Sequence, residues 1–228
     1  MSAAAARFAL LAGNFVIGLS VIAPAGMIDP LAADLGIGVT RAALLITGGA
    51  VVLCLGSPLA AWATSAVDRR LLLAGSLAML ALCHLASAFA PGFSSLLAVR
   101  LVAMGFATVF TPQAASAIAL LVPERDRPGA ISFIFIGWAL AAAVGLPAVA
   151  WAASEYGWRG VQAALALIAA AAAGMVALSL PGGLRGSAMS LASWGIVFRD
   201  RRVGSSKMSA RIAVEAFWKV PLLRLRGR

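Results

Sequence analysis

An all-α membrane protein with six transmembrane helices is the fold class this sequence predicts, and three observations carry that expectation. The chain of 228 residues is 62% hydrophobic and 11% charged, where a soluble domain has roughly 25% charged residues; its mean hydropathy is +0.99. Six apolar stretches fill residues 8–180, each near the ~20 residues that cross a hydrocarbon core of about 30 Å. Lys and Arg gather in alternate loops. Lipid offers backbone groups no hydrogen-bond partner, so each stretch must satisfy itself as a helix.

In order, the expected spans are residues 8–28, 42–64, 71–90, 94–121, 129–153 and 160–180. Turn chemistry separates them: Asp29-Pro30, Asp68-Arg69-Arg70, Pro91-Gly92, the segment from Pro123 to Pro128, and Glu155 to Arg159. With the N-terminus inside, the inner loops hold Arg7, Arg69, Arg70, Arg125 and Arg127, and the outer loops hold only Arg41 and Arg159. That asymmetry places both termini in the cytoplasm of an inner (plasma) membrane protein. A different reading of the first span, as a signal peptide cleaved after Ala23-Pro24-Ala25, would leave five spans and a less regular charge distribution.

Net charge is +10 and uneven. Residues 1–180 carry eight Lys/Arg against six Asp/Glu, net +2, whereas residues 181–228 carry ten against two, net +8. Beside a membrane domain such a tail points to anionic lipid headgroups rather than nucleic acid. Within it, Met189–Phe198 is too short to span, and Met208–Val220 has the periodicity of an interfacial helix, with a disordered basic tail as the alternative. Cys54 and Cys83 lie in apolar stretches and read as inert buried thiols; no disulfide, metal site or cofactor follows from the sequence.

Ionisable groups inside spans are costly and mark function or a specific partner. Arg100, about two turns into the fourth span, should face the bundle interior and meet a carboxylate, a substrate or backbone carbonyls, or else snorkel to the outer interface. His84, the lone histidine, is either a proton relay or a packed, hydrogen-bonded side chain. Asn14, Thr111 and Gln113 line a cavity or bond between helices, with Pro112 kinking the fourth span. Asp29 is a proton-coupling candidate or a solvated loop acid, as is Asp34. Gly137, Ala141 and Gly145 recur every four residues before Pro147, a spacing that lets a neighbouring helix approach closely.

These residues together resemble the N-terminal half of a major facilitator superfamily transporter, in the bacterial drug:proton antiporter branch related to sugar and chloramphenicol efflux proteins. FVIGLSVIAPAGMIDPLAADLGI is similar to that branch's first span and outer loop. Gly56 and the charged Asp68, Arg69 and Arg70 match the family's inner-gate loop, with Ala60 where an acidic residue is expected. Arg100 matches the arginine the family associates with proton coupling, with the following glycine displaced to Gly105; FTPQAA continues that span. IGWALAAAVGLP, with Gly137, Gly145 and Pro147, resembles the fifth-span antiporter motif, and Gly157-Trp158-Arg159 the start of span six.

The resemblance implies two three-helix units of inverted topology, spans one and four along the central cavity, and spans three and six at the periphery. It implies a secondary transporter, not an enzyme, that exports a small organic solute against proton entry. Asn14, Asp29, Arg100, Thr111 and Gln113 would form the substrate and proton pathway. RRVGSSKMSARIAVEAFWKVPLLRLRGR does not resemble a seventh span, so a truncated or frame-shifted transporter is expected, working with a second half or as a homodimer. The alternatives are a membrane-inserted bundle that transports nothing and a structural or receptor-like membrane protein. An intramembrane serine protease would need a base for its serine, and only His84 is available, with no Gly-x-Ser-Gly pattern.

Overall fold

The computed structural model describes residues 3–186, and among them it contains helices and no strand. The stretches Met189–Phe198 and Met208–Val220 lie outside these residues. Helix α1 (Ala3–Gly26) rises about 36 Å at ~1.5 Å per residue, enough to cross a bilayer. Beyond it, Asp29-Pro30 opens a short helix, α2 (Ile28–Asp34), because proline is tolerated in a first turn. Then come α3 (Val39–Ala42), α4 (Leu44–Ala63), α5 (Arg69–Ala88) and α6 (Phe93–Leu121). A 3-10 turn at Glu124–Asp126 leads into α7 (Arg127–Leu140), a π-helical turn at Ala141–Gly145, and α8 (Leu146–Ser179).

α8 contains two passes. Gly157 adopts φ 70° and ψ 164°, a backbone region open essentially to glycine alone, and there the chain reverses. Residues 146–156 therefore complete the fifth pass and 158–179 make the sixth. The break expected between Glu155 and Arg159 is thus a single residue wide. The π turn sits just before Pro147, whose missing N–H leaves the carbonyl of Ala143 without its usual helical donor; one wider turn absorbs the mismatch.

α1 lies against α6, α7 and α8, α5 packs between α6 and α8, and α4 touches chiefly α6. One core cluster includes Leu10, Ile17, Leu77, Met104, Phe110 and Ile118. A second, toward the opposite end, includes Met27, Leu31, Leu45, Leu96, Trp158 and Leu165. The one-sided packing of α4 leaves Val51, Leu55 and Leu59 exposed. Cys54 is exposed with them, whereas Cys83 is buried. The expectation of two buried thiols is corrected for Cys54: the hydropathy of a span does not tell a helix-facing residue from an outward one.

The charged loop before α5 is built around its own arginine. Arg69 is buried; its Nη1 donates to the Thr64 carbonyl at 2.9 Å and its Nη2 to Ser65 at 2.9 Å. Asp68 caps α5, its Oδ1 accepting from the N–H groups of Arg70 at 2.9 Å and Leu71 at 3.2 Å, and its Oδ2 from Gly183. Burial acts to raise the Asp68 carboxyl pKa, but the N–H groups of Leu71, Gly183 and Arg70 outweigh it and hold the group below its ordinary 3.8. Asp68→Ala should destabilise the bundle by about 1 kcal/mol. The cap's charge-dependent contribution is complete above about pH 4 and fades as pH falls through the folded-state value. SDS-titrated unfolding at pH 7 and pH 3 checks both statements.

Candidate functional site

Arg100 projects from α6 toward α1 and α4 and is 7% exposed. Its Nη1 donates to the Ser20 carbonyl at 2.6 Å, Nη2 to Val21 at 2.8 Å and Nε to Leu45 at 3.3 Å. Of the partners expected for it, backbone carbonyls are the ones found. The Ser20 carbonyl is free for a reason written in the sequence. Its helical donor would be the N–H of residue 24, which is Pro24 inside α1 and has none. Gly49 packs beside it: an added Cβ there would be at ordinary contact distance from Nε and Nη2, 3.5 Å, and would press on Met104 Cγ at 3.1 Å.

Ser20 also begins a second chain of contacts. Its hydroxyl lies 2.8 Å from His84 Nε2, and His84 Nδ1 lies 2.6 Å from Gln162 Oε1. An amide oxygen only accepts, so Nδ1 carries the proton and Nε2 accepts from the serine hydroxyl. All three side chains are buried. The network joins α1, α5, α6 and α8 through Ser20, His84, Arg100 and Gln162. His84, Arg100, Gln162 and Ser87 help line a cavity of about 10 Å³, room for about one water. The lone histidine was visible in sequence; its serine and glutamine partners, 64 and 78 residues away, were not.

A separate polar cluster sits further along the α1–α6 seam. The Thr111 hydroxyl donates to Asn14 Oδ1 at 3.0 Å and accepts from Trp138 Nε1 at 3.3 Å. Asn14 is fully buried, and its Nδ2 has no partner among the described residues. Arg100 and Thr111 are eleven residues apart, so they share one face of α6 at a rise of about 16 Å. Gln113 is not in this cluster: its Nε2 donates to Thr64 Oγ1 at 2.9 Å, tying α6 to the end of α4. Asp29 is exposed in the first turn of α2, away from the buried network.

Small residues set the α1–α7 crossing. A Cβ on Gly137 would collide with the Leu11 carbonyl and approach Phe15 N at 2.7 Å, and one on Gly145 would approach Leu19 Cδ1 at 2.8 Å. Gly137, Ala141 and Gly145 are all buried. Pro147 follows in the first turn of α8. Gly56 faces Thr108 across α4 and α6, an added Cβ meeting Thr108 Cγ2 at 2.9 Å. Arg70 lies beside Gly182, while Arg69 is enclosed by loop carbonyls.

At the far end, Asp34 accepts from Trp158 Nε1 at 2.8 Å and from Arg159, which stacks 4.2 Å over the Trp158 ring and donates to the Ala90 carbonyl at 3.2 Å. The Trp158 indole N–H, then Arg159, hold the Asp34 carboxyl below its ordinary 3.8. This clamp joins the loop after α1 to the start of the sixth pass. Sequence reading placed Asp34 and Arg159 in outer loops without pairing them.

The family model described as Major Facilitator Superfamily matches residues 10–222. The inner membrane transport protein YdhP of Escherichia coli (strain K12) is 29% identical over 184 residues, 78% of this chain and 46% of that protein. The chloramphenicol resistance protein of Streptomyces lividans is 30% identical over 166 residues, 73% of this chain and 42% of that protein. The chain spans about half the length of the curated relatives it matches. In fold it is similar to the crystal structure of the peptide transporter POT in complex with sulfate, with a TM-score of 0.71, 14% identity, and coverage of 95% of this chain and 46% of the other. On its residues, its helical architecture and its relatives, this chain is an integral membrane protein of the major facilitator superfamily, a family of transporters rather than enzymes.

Proposed function

We propose that the chain forms the N-terminal six-span bundle of a proton-coupled efflux transporter for a small organic solute. The observation that carries this reading is Arg100. A guanidinium is held at the α1–α4–α6 junction by three carbonyls, with no carboxylate hydrogen-bonded to it among the described residues. A buried fixed charge without a counter-ion is expensive and suits a site where protons or an anionic group come and go. Half-buried Thr111 lies on the same seam, backed by the enclosed Asn14, and supplies the polar group a solute would meet, and the closely packed Gly137–Gly145 crossing beside Pro147 supplies a pivot. Both termini lie on the cytoplasmic side in this reading, with the loop from Asp68 to Arg70 as the inner gate and the basic tail against anionic headgroups.

Alternating access uses two bundles rocking about a midplane site, so this bundle works with a C-terminal half or a second copy of itself. The test is proton-gradient-driven chloramphenicol flux in liposomes containing the chain alone or with an added C-terminal half. Flux in either arm that is lost in Arg100→Met, under conditions where that variant keeps Cys83 protected from thiol reagents, supports the proposal. No flux in both arms favours the second reading, a membrane-inserted bundle that moves nothing.

A further inference from the structure

A groove of about 710 Å³ runs between α5 and the sixth pass, and no residue of α1 or α4 lines it. Ala74, Gly75 and Ala78 form one wall, and Ala173, Gly174 and Ala177 the other. A Cβ on Gly75 or Gly174 would meet nothing within 4 Å, so these walls open outward instead of closing on each other. Leu71 and Leu178 stand exposed nearby, at 73% and 78%. From Leu71 to Ala78 the groove descends about 10 Å, at ~1.5 Å per residue.

Its mouth is polar and basic. Asp68 and Arg70 line it with Gly182 and Gly183, and the exposed Arg185 acts on Asp68 electrostatically. The Asp68 carboxylate is already committed to three backbone N–H groups. The Arg70 guanidinium, by contrast, forms no hydrogen bond or ion pair among the described residues. A groove of apolar walls leading from free cationic charge into the bilayer has the shape and charge of a phospholipid.

We propose that this groove binds one anionic phospholipid of the phosphatidylglycerol class, its phosphate on Arg70 and an acyl chain between Ala74–Ala78 and Ala173–Ala177. Charge complementarity selects the headgroup. The chain fills a depression whose lining would otherwise lose its dispersion contacts. The groove shares no residue with the α1–α6 seam, and its occupancy is measured without any transport, so its failure and that of the efflux proposal are distinguishable.

The test is native mass spectrometry of the full chain, delipidated in mild detergent and titrated with phosphatidylglycerol or phosphatidylcholine. The wild type should retain one phosphatidylglycerol preferentially. Arg70→Gln should weaken that adduct about fivefold, the worth of one surface-proximal arginine. Gly75→Leu and Gly174→Leu alter no charge and fill only open space, so they should weaken it comparably while Cys83 stays protected from thiol reagents. Adducts that survive both glycine variants would show that lipid binds elsewhere, at the basic tail, or that another segment of the chain fills the groove. Equal retention of phosphatidylcholine, or indifference to Arg70→Gln, would overturn the headgroup assignment.

Discussion

Gly137→Leu is expected to separate α1 from the fifth pass and to unfold much of the bundle at detergent concentrations the wild type tolerates. The reason is what the first added carbon meets: the Leu11 carbonyl, and the Phe15 nitrogen at 2.7 Å. Both are backbone atoms inside α1, so neither can rotate away as a side chain would. Overpacking in a closed core costs about 1–3 kcal/mol when side chains can shift, and here a helix must move, which puts the variant at or above the upper end. Gly137→Ala should already be measurable, and Gly75→Leu, placed in open space, should be close to neutral. Thiol labelling reads the outcome directly: buried Cys83 should become reactive in Gly137→Leu. Continued protection of Cys83 would mean that the crossing is looser than its atoms suggest.

That crossing is legible in the sequence, because small residues four apart leave a groove on one helix face whatever packs into it. The six passes were legible for a similar reason: span length is set by the bilayer, and the run from Glu155 to Arg159 marks the fifth break without showing that Gly157 makes it. What hydropathy could not resolve was which face of each helix points inward. In lipid the buried and outward surfaces are equally apolar, so nothing in LLITGGAVVLCLGSPLAAWA distinguishes Cys54 from Gly49. Polar partnerships were equally hidden. Arg100, His84 and Asn14 stood out as costly residues, but the carbonyls, serine and glutamine they bond lie on other helices and carry no local pattern. Of the two readings open for Asn14, Thr111 and Gln113, bonds between helices are seen, with Thr111 holding Asn14 and Thr64 holding Gln113; which residue bonds which carries no local pattern. One long-range detail could have been derived: Pro24 leaves the Ser20 carbonyl short of a donor, and a buried acceptor of that kind needs one from somewhere.

Arg100→Met should destabilise the bundle by about 2–3 kcal/mol, and the effect should depend on Pro24. The thioether chain refills part of the volume but donates nothing. The carbonyls of Val21 and Leu45 keep their places within helices, but Ser20 has no helical donor, so it bears most of the cost of a buried unsatisfied acceptor, about 1–3 kcal/mol. Pro24→Ala supplies the missing N–H. Alone, it gives a carbonyl already served by Arg100 a second donor; combined with Arg100→Met, it gives an orphaned carbonyl its only one. The double-mutant cycle should therefore show a favourable coupling of about 1 kcal/mol in SDS-titrated unfolding. Arg100→Lys separates charge from geometry: an ammonium retains the charge, but its compact head cannot reproduce the fork that spans carbonyls on two helices. It should recover less stability than the Pro24→Ala pairing does. Additive single effects would mean that the Ser20 carbonyl is not what fixes Arg100, and the hold would then have to come from the Val21 and Leu45 carbonyls.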